Sequence, residues 1–267
     1  MILGFLDPVA FHLFSKPVYW YGIIIATTVF FAYLLADREA TKRGLKQDTM
    51  LDLLLIALPI AFIFARAYYV IFRWEYYAGD FSSMIAIWDG GIAIYGGLIG
   101  GFLVLYFFAR RRGVKIIKLL DIIAPSLLVG QMLGRWGNFF NHEAYGEIVT
   151  KQYLENRFIP NFIIENMYID GAYRQPTFLY ESLWCLIALV ILLLIRNKLA
   201  QSEVFAAYLI LYGVERFIVE GMRTDSLYIG GLRVSQVLSL VFVVGSLIYL
   251  IVLNTKFKDK KILYRES

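Results

Sequence analysis

The chain has 267 residues, 60% hydrophobic and only 18% charged, with a mean hydropathy of +0.64 and a formal net charge of +5. A soluble domain carries about 25% charged residues, so this composition points to a membrane protein, and basic residues placed in loops beside apolar runs are no nucleic-acid footprint. One cysteine, Cys185, and two histidines, His12 and His142, rule out an intrachain disulfide and argue against a thiolate or histidine-rich metal centre.

The chain opens on MILGFLDPVAFHLFSKP, which lacks the basic start of a secretory leader, so the first helix is expected to be retained. A helix of about 20 apolar residues crosses a bilayer. Seven stretches fit: Val18 to Ala36, Leu51 to Phe72, Gly91 to Ala109, Leu119 to Gly134, Thr177 to Ile195, Val204 to Glu220 and Val234 to Leu253. Basic residues cluster in Asp37 to Lys46, Arg110 to Lys118, Arg196 to Lys198 and the tail Lys256 to Arg265. The positive-inside rule puts all four clusters in the cytoplasm, with the N-terminus outside and the C-terminus inside. The expected fold class is therefore an all-α integral membrane protein, one polytopic domain over residues 1–267, with a small extracytoplasmic cap at about 142–176. No internal repeat is visible, which weakens an inverted-repeat transporter reading.

This topology gathers distant polar residues on one membrane face. Trp20-Tyr21-Gly22 opens span one, Asp89-Gly90-Gly91 and Tyr95-Gly96-Gly97 open span three, and GRWGNFFNHEAYG (Gly134 to Gly146) follows the apolar run of span four. Gln175 to Glu181 opens span five, and Tyr212, Arg216, Glu220 and Arg223 close span six. At about 100° per residue those last four fall within an arc of about 80°, one stripe with Glu215 on its flank. Ionisable groups at such positions face protein or water, because hydrocarbon exposure is expensive. The bland readings stand beside this one. Arg73 and Arg223 fit headgroup snorkelling, Glu220 fits a plain ion pair, Arg66 inside span two is either a structural pair or a site group, and helix packing accounts for the glycines of GGIAIYGGLIGG.

Arg135 and Arg216 on facing helices would suit a lipid phosphate, because guanidinium groups match phosphate oxygens with paired hydrogen bonds. A phosphodiester bears one negative charge and a phosphomonoester approaches two at neutral pH, so expelling a phosphomonoester develops charge that arginines can stabilise. The alternative is an anionic-solute transporter using the same arginines. It expects polar residues through the inner half of several spans, where spans five and seven offer Leu-Ile-Val runs.

GRWGNFFNHEAYG resembles the signature of the phosphatidylglycerol-prolipoprotein diacylglyceryl transferases. WYG at Trp20, WDGGIAIYGGLIGG at Trp88, QPTFLYES at Gln175 and YGVERFIVEGMRTD at Tyr212 resemble the family's other segments in the same order. The resemblance implies a bacterial plasma-membrane enzyme, without cofactor or metal, whose active site lies toward the outer leaflet. Its partners would be phosphatidylglycerol and prolipoprotein signal peptides bearing a lipobox cysteine, and glycerol 1-phosphate would be released. By motif position Arg135 and Arg216 match the family's essential arginines. Tyr21, Asn138, Glu143, Gly146, Tyr212 and Glu220 match its other functional positions. Many members carry histidine in the glycine-rich segment where this chain has Tyr95, so His142, Glu143, Tyr95 and the arginine field all stand as candidates for activating the thiol.

Overall fold

The computed structural model describes residues 6–224, 228–257 and 261–266. Asp225, which ends the last family-like segment, and residues 258–260 of the basic tail lie outside them. A hairpin of β1 (Val9–Leu13) and β2 (Lys16–Tyr19) leads into α1 (Trp20–Lys42), followed by α2 (Thr49–Phe72), the short α3 (Trp74–Tyr77) and α4 (Phe81–Ile85), α5 (Ile94–Arg112) and α6 (Ile116–Phe140). Next come β3 (Ile148–Val149), α7 (Lys151–Glu155), α8 (Asn161–Asn166), β4 (Tyr168–Ile169) and β5 (Ala172–Arg174). The chain continues through α9 (Thr177–Ile195), α10 (Glu203–Met222), a two-stranded ribbon of β6 (Tyr228–Ile229) and β7 (Leu232–Arg233), and α11 (Val234–Lys256).

Among the described residues, six helices are long and apolar enough to cross a membrane: α1, α2, α5, α6, α9 with its terminal turn, and α11. The protein is thus a multi-pass membrane protein. The remaining long helix, α10, has 20 residues, about 30 Å at 1.5 Å per residue and so a bilayer core's thickness. It is set apart by Glu203, Glu215, Arg216 and Glu220. Six of the seven expected spans lie where hydrophobic patterning puts them, with one informative difference. Helix α6 runs on to Phe140, so Arg135 and Asn138 project from its last turns instead of from a loop beyond it.

The chain divides into two compact units, one of residues 36–122 and one of the rest. In the 36–122 unit, α2 and α5 pack antiparallel through glycines. A methyl group on Gly100 would sit 2.8 Å from Phe64 Cβ, and one on Gly96 would sit 2.6 Å from Tyr68 Cβ and 2.9 Å from Ala65 Cα. Arg66, inside α2 and buried, donates to the carbonyls of Ser83 (2.5 Å), Met84 (3.0 Å), Gly90 (2.6 Å) and Gly91 (2.7 Å). Sequence left Arg66 undecided. The structure makes it a clasp for the segment leading into α5.

In the other unit α6, α9 and α10 share a core of Leu128, Val129, Cys185, Leu189, Leu192, Val204 and Tyr208, closed by Tyr264 from the tail. The segment between α6 and α9 folds as a three-stranded sheet of order β3-β5-β4 with α7 and α8. Its own core of Leu154, Ile159, Ile163, Ile164 and Met167 continues into Phe139 of α6 and Phe178 of α9, whose rings stack 4.6 Å apart. This segment is therefore anchored at both helix ends that flank the arginines.

The glycine seam yields a paired prediction. Gly96→Ala forces α5 away from the α2 backbone and is expected to lower stability by about 1–3 kcal/mol, the usual range for overpacking. Gly101→Ala, one turn further on with nothing within 4 Å of the added carbon, should raise stability by about 0.5–1 kcal/mol through helix propensity alone. Thermal unfolding of the detergent-purified chain distinguishes the two.

Candidate active site

The site grows from three helices of one unit. Ser182 on α9 donates to the Met132 carbonyl of α6 (2.9 Å) and accepts from Trp136 Nε1 (3.1 Å). This lock sets the rotation of α9 so that Glu181, the adjacent residue, projects beside Arg135. Arg135 Nη2 lies 2.6 Å from Glu181 Oε2. Arg216 of α10 approaches the same carboxylate, with Nη1 3.4 Å from Oε1. Its other amino group meets Glu220 Oε2 at 2.6 Å, one turn along its own helix. The two arginines therefore converge on one buried carboxylate.

The exposures are unequal in a useful way. The Glu181 side chain is 2% exposed, whereas those of Arg135 and Arg216 are 19% and 16% exposed. The carboxylate is sealed in, while each guanidinium keeps one edge open. Each has five N–H donors, and Glu181, Glu220 and Asn138 engage only some of them. Donors remain for an anion arriving from the open side.

Around this centre the predicted residues take distinct places. Asn138 lies 3.4 Å from Arg135 through its side-chain oxygen and donates from Nδ2 to Glu143 Oε1 at 2.9 Å. Tyr21, in the first turn of α1, lays its ring against Gly137, where a methyl group would come within 2.7 Å of ring atom Cδ2. It lies in electrostatic range of both Glu143 and Arg135. Tyr212 stacks on Tyr208, rings 6.0 Å apart and nearly parallel, and Tyr208 accepts from Gln131 of α6 at 2.9 Å. Gly146 is buried where the loop after α6 meets the ends of two helices. Its N–H donates to the Gln175 carbonyl (2.9 Å), its backbone bridges Arg223, and a methyl group there would lie 2.8 Å from Gln175 Cβ. Its absent side chain permits that approach.

His142 stands at a positive φ of 52° in the same loop. Burial pushes its imidazole below the ordinary 6.5, partly offset by a hydrogen bond with Asn166. It is neutral at pH 7. With the folded value depressed, stability is unaffected by this group above about 6.5 and is lost progressively as the pH falls from there through the lower folded value.

One expectation changes. Arg223 leaves the stripe of Tyr212, Arg216 and Glu220, because α10 ends at Met222 and Arg223 adopts extended backbone angles of −79° and 146° to make its bridge with Gly146. Tyr95 lies in the 36–122 unit, in the first turn of α5, with its ring 6.5 Å from that of Tyr68. Sequence reasoning also passed over Glu181 as a partner. A lone glutamate near the start of an otherwise apolar span was the available signal. Glu215, noted only as flanking, is 2% exposed, and its carboxylate oxygens find no hydrogen-bond donor among the described residues, although Glu181, Arg135 and Arg216 are in electrostatic range. No grouping of three or more acidic, histidine or cysteine side chains suited to a metal occurs among the described residues.

Known proteins provide an independent view. The family profile described as prolipoprotein diacylglyceryl transferase matches residues 8–252. A relative from Bacillus cereus (strain Q1) is 56% identical over 256 residues, covering 94% of this chain and 95% of its own length. One from Bacillus anthracis is 55% identical over 256 residues with the same coverage. Another, from Bacillus cereus (strain B4264), is 56% identical over 248 residues, 92% of each chain. All three bear the name phosphatidylglycerol–prolipoprotein diacylglyceryl transferase.

The shared carboxylate makes a stability prediction. Glu181→Gln strands the partly buried Arg135 guanidinium and leaves Arg216 with Glu220 alone, and is expected to lower stability by about 3 kcal/mol or more, the scale for breaking a buried ion pair. Glu215→Gln removes a carboxylate without a donor and should stay within about 1 kcal/mol of the parent chain. Unfolding midpoints of the two variants in one detergent provide the comparison.

Proposed function

The chain belongs to the prolipoprotein diacylglyceryl transferase family, and from that premise we propose that it moves the diacylglyceryl group of phosphatidylglycerol onto the thiol of a prolipoprotein's lipobox cysteine. The observation that carries the chemical reading is the convergence of Arg135 and Arg216 on Glu181 with guanidinium edges left open. The substrate sulfur attacks the glycerol carbon that bears the phosphate. A carbon–sulfur bond forms, the carbon–oxygen bond breaks, and glycerol 1-phosphate leaves as a phosphomonoester. Arg135 and Arg216 hold the phosphate and stabilise the charge gained as the diester becomes a monoester. Asn138 and Glu143 orient the Arg135 side of the pocket, Tyr21 and Tyr212 shape its walls, Glu220 steadies Arg216, and Gly146 admits the close loop approach beneath it. The thiol proton goes to Glu143, His142 or Tyr95, or the arginine field lowers the thiol's affinity for it.

In this reading the protein is one polytopic domain crossing the bacterial plasma membrane seven times, with α10 as the charged crossing. The N-terminus lies outside, the C-terminus is cytoplasmic, and residues at about 142–176 form an extracytoplasmic cap over a site in the outer leaflet. The four basic segments of the sequence support that orientation. A solute-transport role draws no support from the names of the relatives.

Transfer from radiolabelled phosphatidylglycerol to a lipobox peptide tests the assignment. Arg135→Gln and Arg216→Gln, each confirmed folded, should lose about 10²–10³-fold in rate, the scale for removing one donor to a developing oxyanion. Lysine at either position should restore only part of it, since an ammonium lacks the paired donors. Normal transfer by a folded Arg135→Gln chain refutes the phosphate-holding role. Alanine variants at Tyr95, His142 and Glu143 identify the proton acceptor as the position whose loss flattens the pH–rate profile.

A further inference from the structure

A further apolar feature lies within the 36–122 unit. Between α2 and α5 a cavity of about 350 Å³ is lined by Ile56, Ile60 and Phe64 on one helix and by Leu103, Val104, Phe107, Phe108 and Arg111 on the other. That volume falls in the range of small-ligand sites. Val104 and Phe108 are buried and form the floor, whereas Ile56, Phe64, Leu103 and Phe107 are partly open walls. Both helices are membrane-crossing candidates, so the open side faces acyl chains. From Ile56 to Phe64, or from Leu103 to Arg111, the groove runs about 12 Å along the helix, most of the ~15 Å hydrocarbon depth of one leaflet.

The groove is apolar along its length and basic at one end only. Because the helices are antiparallel, Ile56 and Arg111 lie at the end marked by the Arg112–Asp52 ion pair. The neighbouring cations are already engaged. Arg110 lies over the Tyr106 ring at 5.3 Å, Arg112 pairs with Asp52, and Lys118 donates to the Arg43 carbonyl at 2.7 Å. Arg111 is exposed and makes no hydrogen bond or ion pair with another described residue. An uncommitted guanidinium at the interfacial mouth of an acyl-sized groove is complementary to one ligand class, an amphiphile with an apolar tail and an anionic head.

We propose that the α2–α5 groove is a binding site for an anionic phospholipid, one acyl chain lying along Val104 and Phe108 and the phosphate held by Arg111. This lipid is separate from the one consumed at the arginine pair. It stays bound as part of the protein's lipid-facing surface.

The test uses the full chain in phosphatidylcholine vesicles doped with phosphatidylglycerol or phosphatidylcholine carrying a photoactivatable diazirine in one acyl chain. After irradiation, labelled peptides from α2 and α5 are quantified by mass spectrometry, with those from α6 and α10 read separately. Labelling within 56–64 and 103–111 is expected to be about fivefold greater for the anionic lipid, the size of one basic residue's attraction at an interface. Arg111→Gln, an exposed change that leaves the helix packing intact, should bring the two lipids to equality there. Equal labelling by both lipids in the unaltered chain, or an anionic preference that survives Arg111→Gln, overturns the proposal. Neither outcome depends on transferase activity, so the functional assignment stands or falls separately.

Discussion

A charge in a bilayer must be neutralised where it stands, and in this protein that constraint is met by one carboxylate. Glu181 touches Arg135 of α6 and Arg216 of α10 from its position on α9, so three helices with a largely apolar shared core are tied by charge at one buried point. Two guanidiniums brought this close repel each other. The glutamate makes their approach stable, and because it is sealed while they are partly open, it leaves their outward donors available. The arrangement needed for structure is thus also the arrangement that can receive a phosphate.

The surroundings serve that point by letting backbone come close. Gly137 admits the Tyr21 ring against α6, and Gly146 admits the Gln175 side chain and the Met222 carbonyl against the loop. Ser182 and Trp136 fix the rotation of α9 on α6 with hydrogen bonds that satisfy polar groups water cannot reach. The Phe139–Phe178 stack then carries the core from the helices into the sheet-and-helix segment beyond them. Ion pairs, polar locks and aromatic packing occur in successive layers along the same helices.

Much of this was legible in the sequence because a bilayer reduces folding to a few strict rules. Span lengths, the basic loops and the polar groups of Arg135, Arg216 and Glu220 follow from the price of exposing charge to hydrocarbon. The α10 stripe was readable from helical period, up to the point where a tertiary bridge to Gly146 drew Arg223 out of it. What resisted reading was partnership. Glu181 and Glu215 are both glutamates within spans, and only the packed helices show that one is shared by two arginines while the other finds no donor. The path of the loop before α5 was closed to sequence for the same reason, since Arg66 bonds to carbonyl oxygens that every residue type possesses.

That last feature has an evolutionary corollary. A segment held by its peptide oxygens is indifferent to most of the side chains it carries, so the stretch from Ser83 to Ile87, ahead of the family-like motif at Trp88, can drift in composition while keeping its course, provided that the positive φ angles at Gly90 and Gly91 and the single guanidinium persist. Variation there would leave the approach to α5 unaltered, whereas loss of one residue buried in another helix would release the whole stretch.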